Sequence, residues 1–340
     1  MRVTPFIIFN QLTQSLDKTM QDYATLNEQL TTSKRMQAPS DDAAGLKRAM
    51  DYKVQINNNG QYLQNIDVAR NNLTTVNTVM TSYDKFLASA MSLVSQSKSG
   101  LADPTASVMH AQQAAALRDI FLNLGNTKTG DQYLFAGFQS NTQPYNAATY
   151  AYQGDSGVMK IQTDDNSTQA ANVTGNNVFS YTLAAATSKL LSSGNIAHYT
   201  PGPAGTTTVT VDIRQADDVS RPATDKTFTF SNVMQMANEL NKGITAAEPD
   251  TLEALIDPFT QVQAQSRAAQ TDVATRLQWL EIQDTNLTNN TDSLQATLAS
   301  VEDADMLAVV ARLKTTEITL QSVRESASRV LSMSLFNFLK

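Results

Sequence analysis

Nine residues of this 340-residue chain, Ile66, Ala69, Leu73, Val76, Met80, Tyr83, Leu87, Ala90 and Val94, follow one another at alternating steps of three and four. That spacing lays one apolar stripe along a helix and holds it against a partner for four heptads. A strand cannot use it, because strand side chains alternate faces with a period of two. The same step recurs at both ends of the chain. Leu12, Leu16, Thr19, Tyr23, Leu26 and Leu30 carry it near the N-terminus. Met306, Val309, Leu313, Thr316, Leu320, Val323, Ala327 and Val330 carry it near the C-terminus. Phe259, Val262, Ala269, Val273, Leu280 and Leu287 form a looser stripe ahead of that last run.

Start and stop signals bound these helices. Gln37-Ala38-Pro39 ends the first run; Ser40 is placed to cap the next, with Asp41 and Asp42 in its first turn, where the helix dipole favours negative charge. Residues 42–98 are predicted as one helix, about 85 Å long at ~1.5 Å per residue. It should run through Asn57-Asn58-Asn59-Gly60, since one glycine costs only ~1 kcal/mol in a helix, and end at Gly100 and Asp103-Pro104. A shorter helix follows, with Met109, Ala116, Ile120 and Leu124 on its inner side and Gly125 closing it. Asp257 and Pro258 open the last zone, and Glu302-Asp303-Ala304-Asp305 opens its final run. Between these zones, residues 131–254 hold eight of the thirteen glycines and five of the nine prolines, whereas residues 255–340 have no glycine and one proline. The middle therefore reads as strands and turns. Strands are predicted over Thr206–Ile213 and Thr227–Phe230, with Gly202–Gly205 as a loop and a short helix over Ser231–Asn241. Gly154-Asp155-Ser156-Gly157 is read as a hairpin turn leading into the alternation of Val158–Gln162.

The fold class implied is α+β: an antiparallel coiled-coil rod of N- and C-terminal helices with an inserted, mainly β outer domain. The boundaries drawn are 1–42 with 296–340 for a terminal helical coiled coil, 43–138 with 255–295 for a helical rod, and 139–254 for the β-rich outer domain. Ala, Thr, Ser and Gln occupy many positions of the terminal seams, so these helices bury little apolar area and are marginal alone. They are expected to stay disordered in a monomer until neighbours cover them. The residues expected to form that assembly interface are Leu12, Leu16, Tyr23, Leu26, Leu30, Leu313, Leu320, Val323, Val330 and Leu335.

Composition excludes several function classes. The net charge of −7 with no basic run argues against a nucleic-acid partner. With no cysteine, disulfides, thiolate nucleophiles and Cys-ligated metals are ruled out. No stretch approaches the ~20 apolar residues of a membrane helix. The apolar run Phe6–Phe9 is shorter than the roughly 7–15 residues of a secretory signal, so any export is expected to bypass a cleaved signal peptide. Gly154-Asp155-Ser156-Gly157 also matches the nucleophile loop of trypsin-like proteases, which needs a histidine base and an orienting aspartate. Neither His110, in a helical run, nor His198, in a turn-rich loop, sits where such a base should, and Val158 replaces that motif's usual next glycine. The carboxylate pairs Asp41/Asp42, Asp164/Asp165 and Asp217/Asp218, and the Glu302–Asp305 group, fall at helix starts and turns, where they have structural reasons to be. Lys34-Arg35 reads as a solvated helix end. No catalytic, cofactor-binding or metal-ligating residue is assigned.

Two stretches carry a family likeness. Residues 31–46, TTSKRMQAPSDDAAGL, and 294–313, LQATLASVEDADMLAVVARL, resemble the N- and C-terminal signatures of the bacterial flagellin superfamily. Within it, Gly130–Gly137 (GDQYLFAG) and Leu331–Leu339 (LSMSLFNFL) are similar to the hook–filament junction proteins. The resemblance covers about 1–180 and 255–340. It implies a non-enzymatic, extracellular structural protein of the flagellum, without cofactors, self-associating as a ring between hook-associated protein 1 and flagellin. It also implies export through the flagellar type III system, with a chaperone holding the C-terminal helix. The alternatives are a flagellin filament subunit, a secreted coiled-coil effector and, from another class, a hydrolase acting through Ser156.

Overall fold

The structure, a computed structural model, describes residues 5–100, 103–202, 207–212 and 226–338. The chain forms two compact units, Met1–Gly60 with Leu287–Lys340, and Gln61–Asn286. Two long helices, α2 (Ala43–Gly100) and α7 (Ile256–Glu302), contribute to both. The fold is α+β, with the long helices at the two ends of the sequence and short antiparallel strands between.

In the unit Gln61–Asn286, all nine residues of the α2 stripe are at most 1% exposed. Phe259, Val262, Val273 and Leu280 of α7 are fully buried, Ala269 is half-buried, and Ser266 is buried beside it. The asparagine run does not break α2. Asn59 is buried, and its amide donates to Asn290 Oδ1 at 2.8 Å and Thr291 Oγ1 at 3.1 Å within the other unit, which satisfies a polar group that would otherwise be costly in a seam.

The helix α3 (Pro104–Gly125) starts on a cap from Asp103, whose side chain accepts from Thr105 N. Its inner face is not the predicted one. Ala114, Leu117, Phe121 and Gly125 are buried, whereas Met109 and Ala116 are exposed and Ile120 and Leu124 only half-buried. The aromatic ring decides the rotation. Phe121 meets Tyr83 edge-on with centroids 5.6 Å apart, and Gly125 lets Tyr145 and Met234 approach where a Cβ would lie 2.7 Å from each.

Strands β1 (Lys128–Thr129) and β2 (Gln132–Tyr133) form a small hairpin, after which Leu134, Phe135 and Ala136 are buried. Phe135 lies 5.1 Å from Phe179, which packs on Tyr83 and Tyr145, so the stretch that resembled a family motif is the plug of an aromatic core. The turn predicted at Gly154–Gly157 is corrected. Strand β3 (Lys160–Asp164) pairs with β4 (Ser167–Ala170), not with residues ahead of the glycines. Neither Gly154 nor Gly157 has positive φ. They are required instead by rings: an added Cβ would lie 2.7 Å from Tyr152 Cζ at Gly154 and against Phe138 at Gly157. Asp155 ties this loop down by accepting from Phe138 N and Gly157 N.

The remaining strands, β5 (Thr187–Leu190), β6 (Ile196–Pro201), β7 (Thr207–Asp212) and β8 (Lys226–Phe230), make one antiparallel sheet in sequence order. Ala197, Tyr199, Val209, Phe228 and Phe230 are buried, while Thr227 and Thr229 face out. Helix α5 (Val233–Thr245), capped by Asn232, packs on β8 and α3. Strands β1, β2, β4, β5 and β6, the short α4 (Gly175–Phe179) and α6 (Pro249–Ala254), which precedes α7, were not anticipated from the sequence. Thr206, Ile213, Pro203–Gly205 and the pair Asp217/Asp218 lie outside the described residues.

Candidate assembly interface

The terminal helices α1 (Pro5–Thr32) and α8 (Met306–Phe338) pack on each other. They run antiparallel, since residue 34 bridges residue 303 at one end and Leu26 shares a groove with Ala311 further along. Burial follows the 3-4 step read from the sequence. Leu12, Leu16, Thr19, Tyr23, Leu26 and Leu30 on α1, and Met306, Leu313, Thr316, Leu320, Val323 and Ala327 on α8, are all half-buried; Val309 alone on this stripe is buried. The side chains of Val330 and Leu335 lie outside the described residues. Two helices cover only one side of each other, so the stripe closes halfway. A groove of about 550 Å³ remains between Asp22, Thr25, Leu26 and Gln29 on one wall and Ala311, Arg312, Thr315 and Thr316 on the other. Apolar side chains outside the stripe face solvent: Ile7 and Met20 on α1, Val310, Ile318 and the 85%-exposed Leu307 on α8.

At the inner end of this pair the two terminal signatures meet. Arg35 N donates to Glu302 O at 2.7 Å, and Ala304 N donates to Ser33 O at 3.0 Å, so residues 33–35 and 302–304 form a short backbone bridge. Glu302, only 6% exposed, accepts from Lys34 Nζ at 2.6 Å and Lys53 Nζ at 2.8 Å. Arg35 donates to the Val301 carbonyl at 3.1 Å and pairs with Asp42. Lys34-Arg35 thus stays open to solvent, with side chains 43% and 51% exposed, and also forms half of an ion cluster closed by the opposite terminus. Burial pushes the Glu302 carboxyl up, but the hydrogen bonds and charges of Lys34 and Lys53 outweigh it and hold it below the usual carboxylate range. The same bond to Glu302 raises Lys34.

The caps also differ in detail from the sequence reading. Asp42, not Ser40, caps α2, accepting from Gly45 N at 2.8 Å; Asp41 accepts from Gln37 N and Ala38 N in the turn before it. Asp305 caps α8 through Leu307 N and Ala308 N. The sequence did not single out Lys53 or Met36, which is buried against Gly45. Helical spacing carried a signal for Lys53, four residues beyond the buried Ala49 and so beside the inward face.

No hydrolase site forms around Ser156. It is exposed, His198 Nδ1 lies 2.8 Å from Ser188 Oγ instead, and His110 Nδ1 is buried without a hydrogen-bond partner. Among the described residues no cluster of three acidic or histidine side chains could hold a metal ion, and no helix is long and apolar enough to cross a membrane.

The terminal helices pair at a charged bridge, with a β-rich insertion between them in sequence, and residues 5–140 match the sequence model of the bacterial flagellin N-terminal helical region. The chain is similar to flagellar hook-associated protein 3 of Salmonella typhimurium, 24% identical over 180 residues, which are 53% of this chain and 57% of that relative. The match thus spans little more than half the length of the curated relative. The fold is that of a hook-associated protein of Vibrio parahaemolyticus (TM-score 0.59, 16% identity, covering 77% of this chain and all of that one). It is shared too with the flagellar junction protein of Legionella pneumophila (TM-score 0.51, 18% identity, 75% and 100% covered).

Proposed function

We propose that this chain is a structural axial protein of the bacterial flagellum, forming a ring at the hook–filament junction between hook-associated protein 1 and flagellin. The observation that carries this reading is the half-closed stripe of α1 and α8. It holds enough apolar surface to bind neighbours and too little partner surface to be complete alone. Each Leu or Val side chain buried there contributes about 1.5–3 kcal/mol, against an ordering cost of about 1–2 kcal/mol per residue. One pair of helices therefore gains little, and a ring of them, in which every exposed face meets a neighbour, gains much more. On this account residues 1–42 and 296–340 become fully ordered only in the assembly, around Leu12, Leu16, Tyr23, Leu26, Leu30, Leu313, Leu320, Val323, Val330 and Leu335. Export in an unfolded state through the flagellar type III channel, with a chaperone on the C-terminal helix, suits ends of this kind and a chain without cysteine.

The match to the flagellin N-terminal region favours a second reading, a filament subunit. Gold labelling of intact flagella separates the two. The junction reading expects one band at the hook end and filaments lost from hooks when the gene is deleted. Label along the whole filament supports the flagellin reading, and unchanged motility on deletion overturns both.

A further inference from the structure

We infer that Glu302, clamped by Lys34 and Lys53, is the residue that sets the register of α8 against α1. The seam needs such a device. Its stripe is Leu, Leu, Thr, Tyr, Leu, Leu on one helix and Met, Val, Leu, Thr, Leu, Val, Ala on the other, all at steps of three and four and all half-buried except Val309. Sliding one helix by seven residues again sets stripe against stripe, exchanging Leu16 with Tyr23 and Leu320 with Ala327, and because all of these positions but Val309 are only half-buried, packing alone discriminates weakly between registers. The inner bridge does not tolerate sliding. Glu302 sits at the end of α7 and is 6% exposed. Its partners come from two different elements, Lys34 from the turn after α1 and Lys53 from α2. Arg35 holds the neighbouring Val301 carbonyl while it pairs with Asp42, and Asp303, next to Glu302, adds its charge towards Lys34. A seven-residue slip would strand a buried carboxylate without cations and break both backbone bonds between 33–35 and 302–304. A buried polar contact that specifies alignment at some cost in stability is a known physical use of such groups.

The inference does not rest on a flagellar role, and the absence of native cysteine makes it directly testable. Thr25 and Arg312 line the same groove, whereas Thr319 lies one heptad beyond Arg312. Full-length Thr25→Cys/Arg312→Cys and Thr25→Cys/Thr319→Cys chains are treated with a short bis-maleimide, which traps even transient pairing. With Glu302 present, the first pair should cross-link at least tenfold faster than the second; with Glu302→Gln, the two rates should converge to within about twofold. A Lys34→Met/Lys53→Met background should converge likewise. An unchanged ratio in Glu302→Gln overturns the inference, as does the lack of a preferred pair in the parent chain. Loss of both products in Glu302→Gln also overturns it, since the clamp would then hold the helices together without choosing their alignment. The thermal transition of the unit Gln61–Asn286, unaltered across the set, verifies that each variant is folded.

Discussion

Leu73 has no exposed surface, and its neighbours on the α2 stripe are equally enclosed. Leu73→Asp would leave a carboxylate there without a cation or donor. The expected loss is about 4 kcal/mol or more, adding lost burial to the cost of a buried polar group, and the thermal transition of the purified chain should disappear or fall by tens of degrees. The same core makes an alkaline prediction. Burial pushes the hydroxyls of Tyr152 and Tyr181 up to about 12, and drives those of Tyr83 and Tyr145 well above their ordinary value. Below pH ~10 these phenols are neutral whether folded or unfolded, so their contribution is fully present. As pH rises from there towards 12, the unfolded chain ionises ahead of the folded one and stability falls. Denaturant midpoints measured from pH 9 to 12 should drop continuously, and Tyr181→Phe should flatten the drop.

The inner bridge of the terminal helices carries the opposite pH dependence. Glu302 is held below the usual carboxylate range by Lys34 and Lys53, so the clamp is fully present above pH ~4.5 and is lost as pH falls through the depressed folded value. Both lysines are more than 40% exposed, which discounts the pair to about 1–2 kcal/mol. Ellipticity of the full chain should therefore fall below pH 4 by an amount that Glu302→Gln removes. The elements themselves were largely legible in sequence, because an unbroken 3-4 step over four heptads admits one structure: all nine predicted α2 residues are buried, and the stripes of α1 and α8 are the half-covered ones. Where the signal was short, tertiary packing overrode it. The stripe on α3 turned by one position because Phe121 outweighs Ile120 as a core residue, and the Gly154–Gly157 segment is shaped by Tyr152 and Phe138 rather than by strand pairing. The Lys34–Glu302 contact was illegible for another reason. Its partners are 268 positions apart, and charge at a helix end looks solvated until the opposite terminus is placed beside it.

For the whole molecule, the two compact units assign different consequences to the same chemical change. Leu320 lies on α8, half-buried, in the unit of the chain ends, whereas Leu73 belongs to the unit Gln61–Asn286. An aspartate at Leu320 keeps access to water in the isolated chain, so the folding penalty should stay below about 1 kcal/mol. In the proposed ring the same position would be covered by neighbours, and each subunit would bring its own unpaired carboxylate into the buried layer. A penalty of about 2 kcal/mol per subunit, repeated around that ring, would prevent closure. Leu320→Asp is thus expected to melt like the parent and to leave hooks without filaments when it replaces the parent in cells. Limited proteolysis reads the same division without mutation. Both ends should be trimmed from the isolated chain, leaving a core of about residues 45–295, while assembled protein resists. A Leu320→Asp chain that supports normal filaments, or an isolated chain whose ends resist protease as well as its centre, would mean that α1 and α8 are complete as a pair and that their open stripe is not what joins one subunit to the next.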